Sequence, residues 1–233
     1  MVDVIIPHYG NDEDLNLCTG SLEADPCISD VLVIDNNADN LGFTKAVNKG
    51  IKHFWKTDNE FVAIVNNDTE IFEGGFSPMI ERMNLNPKAG IVCPMAILHS
   101  DKDLIQHAGG DQAFPNGIHF SGLRSLDQCS EPARRKWLSF VVVLIRKAAI
   151  LETGLLDENM FLIASDSDYC YRLRYAGWEC WYEPKSIWTH KCGESSAATS
   201  ADSLTIQRTD MFYFYKKWVK QGGLYTELSN EVM

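Results

Sequence analysis

The chain has no apolar run long enough to cross a bilayer. Its longest, Phe140-Val141-Val142-Val143-Leu144-Ile145, falls far short of the roughly 20 residues that a transmembrane helix needs. An excess of positive charge is also missing: 21 Lys and Arg stand against 32 Asp and Glu, a net −11. Nucleic acid is therefore not an expected partner, and an anionic membrane attracts little of the chain as a whole. The seven cysteines (18, 27, 93, 129, 170, 180 and 192) include no Cys-x-x-Cys pair. An odd, scattered set reads as free thiols in a reducing compartment, not as a disulfide framework or a zinc site. Neither Gly-x-Gly-x-x-Gly nor the P-loop pattern occurs, so those two nucleotide-binding folds are not supported. Met1 leads straight into a strand-like run without a basic head, so no targeting segment is expected.

What is present is a sizeable hydrophobic fraction, 45% of 233 residues, enough for one large α/β domain. Apolar runs at Val2–Ile6, Val31–Ile34 and Phe61–Val65 read as buried strands. Helical patterns at 12–22 and 43–55 separate them, the second carrying Phe43, Ala46, Val47, Ile51 and Phe54 at helical spacing. Further along, the pattern predicts helices at 78–83, 147–152, 166–175 and 204–220, and strands at 90–93, 137–145, 179–182 and 186–189. Residues 99–136 are polar and glycine-bearing and read as loops and short strands over a cleft. The strand–helix alternation predicts a largely parallel sheet. Ligands bind open α/β sheets at the carboxyl ends of strands. Pro7-His8-Tyr9, Asp35-Asn36-Asn37 and Asn66-Asn67-Asp68 should therefore line one crevice.

Each candidate group has a plainer alternative. Asp68, at a strand end, can ligate Mg2+ or Mn2+ through oxygen, yet Asn-Asn-Asp also suits a simple turn. Ser165 suits a helix N-cap, and Asp168 resembles the far member of a capping box. Asp168 also stands four residues before Arg172, the spacing of a helical ion pair. That leaves Asp166 without a structural task and makes it the better candidate for a general base. His190 follows a short strand, where it serves either packing or ligation. Gly42 opens a helix near which a phosphate or ribose could approach. The last helix carries Leu204, Met211, Phe212, Tyr215, Trp218 and Val219 on one face. Core packing is the default for it, and Lys216, Lys217 and Lys220 leave an interfacial membrane role open.

Taken in order, these segments resemble the family 2 glycosyltransferases of the GT-A fold, closest to a rhamnosyltransferase-like branch. The resemblance covers Val2 to about Trp218. Val4-Ile5-Ile6-Pro7 and Val33-Ile34-Asp35-Asn36 look like the family's first two strands, and Asn40-x-Gly42-Phe43-x-x-Ala46-x-Asn48-x-Gly50 is typical of the branch. Asn66-Asn67-Asp68-Thr69 occupies the place of the metal-binding Asp-x-Asp. Ile105-Gln106-His107-Ala108-Gly109-Gly110 is branch-like as well. Leu155-Leu156-Asp157-Glu158 leads into Asp166-Ser167-Asp168-Tyr169, similar to the family's Glu-Asp-x-Asp-Leu, and His190-x-x-Gly193-x-Ser195 resembles the segment whose His completes the metal site. Two positions depart: Asn66 replaces the first Asp of the metal motif, and Ser165 replaces the Glu before the base.

The resemblance implies a GT-A fold, a single Rossmann-like nucleotide-sugar-binding domain over 1–233 with a mostly parallel central sheet flanked by helices. Residues 1–98 would form the nucleotide-binding half, and 99–233 the acceptor and catalytic half with its C-terminal helix. It implies an inverting, metal-dependent transfer from a nucleotide-diphosphate sugar, dTDP-rhamnose-like or UDP-hexose, to a hydroxyl of a glycan or glycoconjugate. Asp68 and His190 would hold Mn2+ or Mg2+, and Asp166 would act as base. Pro7, His8, Tyr9, Asp35, Asn40, Asn48, Asn66 and Asn67 would lie against the donor, and Arg208 would help hold phosphate. His107, Phe114, His119 and Trp137 are acceptor candidates, each of which suits packing equally. The two departures motivate an alternative, a catalytically idle nucleotide-sugar or glycan-binding module. A nucleotidyltransferase ranks last, because His8-Tyr9-Gly10-Asn11-Asp12 is acidic where a triphosphate loop would be basic. The expected location is cytoplasmic, with peripheral membrane contact left open.

Overall fold

The computed structural model describes residues 1–111, 118–122, 129–191 and 201–220, with the backbone alone at 118, 119, 201, 202, 219 and 220. The chain opens as β1 (Val2–His8), α1 (Asp12–Leu22), β2 (Ile28–Asp35), α2 (Phe43–His53) and β3 (Phe61–Val65). It continues through β4 (Thr69–Glu73), α3 (Ser77–Leu85), β5 (Ala89–Leu98), β6 (Ile105–His107), β7 (Gly110–Asp111), β8 (Ile118–His119) and β9 (Ala133–Arg135). Next come β10 (Val142–Arg146), α4 (Lys147–Thr153), α5 (Ser165–Tyr175), β11 (Glu179–His190), α6 (Ala201–Tyr215) and a π-helical turn at Lys216–Lys220.

The main sheet runs β2-β1-β3-β10-β5-β11-β4, with β6 on β5 and β9 on β11, while β7 and β8 form a separate pair. Strands β2, β1, β3, β5 and β11 share one direction, against which β10 and β4 run. Every residue of β1 and β3 is buried, as befits strands covered on both faces. Alternate side chains go to opposite faces. Ile5 and Ile64 meet Ala46, Val47 and Ile51 of α2 on one face, where α5 adds Tyr169, Cys170 and Leu173. Val4, Ile6, Ala63 and Val65 meet Cys18 and Leu22 of α1 and Met79 and Met83 of α3 on the other. At Gly50, α2 comes so close to Ile5 that no Cβ fits. The Asp inside β1 is also accounted for: Asp3 is fully buried and accepts from Asn59 (2.6 Å), Lys147 (3.2 Å) and Thr57.

Several elements differ from the sequence expectation. The strand expected over 137–145 is β10 at Val142–Arg146; the preceding Trp137, Leu138 and Phe140 are buried as irregular chain. Burial, which the apolar run does report, is not the same as strand geometry. The two strands expected near 179–182 and 186–189 are one, β11, with a register shift between Glu183 and Ile187. β4 was not expected at all, its outer residues being only half-buried or exposed. No helix among the described residues is long and apolar enough to cross a membrane.

Candidate active site

Parallel strands deliver their last residues to one edge, and there the polar side chains join into a continuous row. His8 ends β1 opposite Asp35, which ends β2. Asp35 accepts from the Asn37 backbone N–H (2.8 Å), and the Asn37 amide nitrogen lies 3.0 Å from His8 Nε2. The Asn67 amide nitrogen lies 3.1 Å from His8 Nδ1, and His8 Nε2 also lies 3.0 Å from Asp12 Oδ1. Next to Asn67 stands Asp68, whose Oδ1 lies 3.2 Å from His190 Nε2. The row therefore runs Asp35, Asn37, His8, Asn67, Asp68, His190.

Strand pairing explains the last step. β4 begins directly after Asp68 and pairs antiparallel with β11, placing Thr69 opposite His190. The Lys191 N–H donates to the Asp68 carbonyl (3.1 Å), and the Lys191 ammonium pairs with Asp14 of α1. A turn also forms here: the Asn66 carbonyl accepts from Thr69 Oγ1 (2.7 Å) and the Cys18 thiol (3.5 Å). Both readings of Asn66-Asn67-Asp68 hold in part, since the turn is what presents Asp68 to His190. Asp68 is 5% exposed and His190 8%, and His190 Nδ1 is buried without a hydrogen bond. One carboxylate and one imidazole stand side by side here, groups of the kind through which a divalent cation is held. Among the described residues no third acidic, His or Cys group joins them. The Cys18 thiol does not serve, because burial pushes its pKa up to about 12. All six described cysteines are free, as expected.

Asp166 reaches the same edge from the other side. The Asn66 N–H donates to the Val141 carbonyl (2.8 Å), and the backbone of the neighbouring Phe140 is close enough to the Asp166 carboxyl to stabilise its charge. Burial raises the Asp166 pKa to about 6, against hydrogen bonds from Ser167 and Phe140 that lower it. Ser165 is not the N-cap: Ala164 takes that place in the left-handed region (φ 62°), and the Ser165 hydroxyl donates back to the Leu162 carbonyl (3.0 Å). Asp168 is structural, as its spacing from Arg172 predicts. Fully buried, it accepts from Arg172 (2.9 Å), Lys217 (2.7 Å) and the Trp218 indole (2.8 Å).

Several expected site residues have other tasks or positions. Asn48 is 1% exposed and clamps the 156–158 loop, accepting from Leu156 N–H and donating to its carbonyl, both at 2.9 Å. The α2 N-terminus is not open to phosphate, since the Phe43 and Thr44 N–H groups point at the Phe161 carbonyl (2.8 and 3.5 Å). Pro7 is buried within β1. Lys217 bridges Asp168 and Asp157 (2.7 Å each) and does not face a membrane. Burial would raise the Asp157 pKa, but Lys217 and Asn159 bring it down to about 2. Trp218 and Phe214 pack inward on Tyr171. Tyr9 is 44% exposed beside the row, and Asn40 (φ 32°) is exposed in the loop before α2. His107 and Trp137 are each 3% exposed and tilt against each other, with the Ser139 N–H donating to His107 (2.9 Å). That is packing, not an open acceptor surface. Phe114 and the His119 side chain lie outside the described residues, and Arg208 is exposed on α6.

One residue escaped the sequence reading. Asp210 of α6 is 2% exposed and accepts from three successive backbone N–H groups, Phe161 (2.9 Å), Leu162 (2.8 Å) and Ile163 (2.8 Å). It anchors the loop that ends at Ala164, immediately before Asp166. Nothing in the surrounding sequence marks this aspartate, because its partners lie some fifty positions away.

No family model matches the chain. Over 200 residues it is 26% identical to the N-acetylglucosaminyl-diphospho-decaprenol L-rhamnosyltransferase of Mycobacterium tuberculosis, a match covering 75% of this chain and 64% of that protein. The chain thus spans just under two thirds of that relative's length. In structure it is similar to GalNAc-T7, solved with UDP, GalNAc and Mn2+ (TM-score 0.67, 12% identity, 94% of this chain and 48% of that one). It is also similar to the mannosyltransferase PcManGT of Pyrobaculum calidifontis, in complex with GDP-Man and Mn2+ (TM-score 0.61, 10% identity, 98% and 67%). The fold is that of the GT-A glycosyltransferases. The sequence likeness to the mycobacterial rhamnosyltransferase points the same way as the fold, toward a family 2 glycosyltransferase-like protein.

Proposed function

We propose that the chain transfers a sugar from a nucleotide-diphosphate donor to a hydroxyl of a glycan or glycoconjugate, with inversion at the anomeric carbon. The observation that carries this is the polar row from Asp35 to His190, with the Asp166 carboxyl close to the Phe140 backbone beside it. Asp35, His8, Tyr9, Asn40, Asn66 and Asn67 are the donor-side groups. Asp68 and His190 would hold a Mn2+ or Mg2+ ion, which neutralises charge on the departing diphosphate when bound. Asp166 takes the proton of the acceptor hydroxyl as that oxygen bonds to the anomeric carbon. The bond from that carbon to the phosphate oxygen breaks, and its electron pair leaves with the nucleoside diphosphate. With its pKa raised to about 6, Asp166 is ionised at neutral pH yet more basic than an ordinary carboxylate, as a base requires.

The name of the mycobacterial relative supports a dTDP-rhamnose-like donor, and the ligands of the structural neighbours support UDP-hexoses next. That relative's named substrate carries a decaprenol chain, which supports an acceptor presented at a membrane surface and a peripheral protein that meets it there. The test is release of nucleoside diphosphate from a panel of nucleotide sugars with Mn2+. Absence of binding by every donor, with and without metal, would refute the proposal. Asn66 and Ser165, standing where the family has carboxylates, favour one second reading, an idle donor-binding module. It requires that donor bind without turnover and that Asp166→Ala change nothing.

A further inference from the structure

At the start of β11, away from the polar row, a cavity of about 200 Å3 opens between β9, the C-terminal end of α5 and Trp178. In a chain of net charge −11 its lining is cationic. Arg134, Arg135, Lys136 and Arg174 face Asp111 and Glu179, four positive charges against two negative. The two carboxylates are engaged, Glu179 with Arg134 (3.0 Å) and Asp111 with Arg135 (3.1 Å). Lys136 is 8% exposed, and its ammonium has no hydrogen bond or ion pair among the described residues. The ammonium reaches the cavity, where an anion would give it the partner it lacks.

We propose that this cavity is a second ligand site, one that takes a phosphate group carried on a small molecule. Guanidinium forks suit phosphate oxygens, and the Lys136 ammonium adds a point charge beside them. The volume equals about six or seven water molecules, enough for phosphate with a small substituent. Burial and the neighbouring Arg174 both lower the Lys136 pKa, and a bound anion would oppose both effects. Arg134, 58% exposed at its side chain, forms the rim above Lys136. Cys180 lines this cavity and His190 ends the same strand; their partners on β5 are Ile91 and Leu98, so about 23 Å of strand separates it from the donor site.

Calorimetry on the full chain in EDTA tests the site, with inorganic phosphate and glucose 1-phosphate as separate titrants at matched ionic strength. The expected result is saturable binding that Lys136→Met weakens about tenfold, Arg134→Ser weakens about threefold, and Asp68→Ala leaves unchanged. Preference for either titrant supports the site and tells which source fills it. Absence of saturable binding overturns the proposal, as does undiminished affinity in the variants. Loss of binding in Asp68→Ala overturns it too, because the anion would then belong to the donor site. If Lys136→Met does not fold, Arg134→Ser decides alone. Turnover of nucleotide sugars is read separately, so failure here leaves the proposed transfer reaction standing.

Discussion

The two ends of β11 differ in charge, and the difference separates two ways of meeting a phosphate. At its carboxyl end, His190 faces Asp68, in the polar row that Asp12 and Asp35 join farther along. At its amino end, Cys180 and Glu179 border Arg134, Arg135, Lys136 and Arg174. An edge rich in carboxylates repels a diphosphate unless a cation comes with it, whereas a cationic wall takes an anion directly. On the two proposals made above, the first end takes a donor that arrives with metal and the second a metal-free anion.

Asp166→Asn should have the largest effect, lowering turnover by about 10²–10⁴-fold while donor affinity measured by calorimetry stays within a few-fold. In the wild type, activity should fall as pH drops through about 6, because Asp166 gains its proton there. The stability sign is opposite. A carboxyl whose pKa is raised by folding contributes stability below its unfolded value, near 3.8, and loses it as pH rises through about 6. Thermal melts should therefore show Asp166→Asn gaining on the wild type between pH 4 and 7.

Asp68→Ala should come next, weakening Mn2+-dependent donor binding by at least about 10–100-fold. The contrast between the two ends of β11 fails if the same variant weakens metal-free phosphate binding. Asp210→Asn should cost about 1–3 kcal/mol in denaturant melts, since it takes the charge from an acceptor serving three N–H groups. It should also lower kcat more than KM, because the loop it anchors leads into Asp166. Gly42→Ala should cost about 1–2 kcal/mol: φ is 81° there, and a Cβ would lie 2.6 Å from the Phe161 ring. The smallest effect is expected for Lys136→Met on nucleotide-sugar turnover, which should be unchanged.

How much was legible in advance follows from how far apart the interacting residues lie. The buried strands β1 and β3 were legible because strands covered on both faces must be apolar throughout. Their polar ends were legible because chain order alone puts parallel strand ends on one edge. Thus the positions of His8, Asp35, Asn66 and Asp68 followed from sequence. The pairing of Asp168 with Arg172 also followed, being a contact within one helical turn.

Only the tertiary structure decided the rest. Asn48 lies in a helix that looks open at its start, yet the 156–163 loop closes over it. Asp210 and Lys136 owe their significance to partners, or to the lack of them, on distant segments. β4 became a strand because β11 lies alongside to accept it, and that pairing brings Asp68 against His190. Local pattern reports which residues are buried and where a strand stops, because backbone geometry repeats over a few residues. Which side chains then share a buried space depends on contacts between distant segments, which no local period encodes.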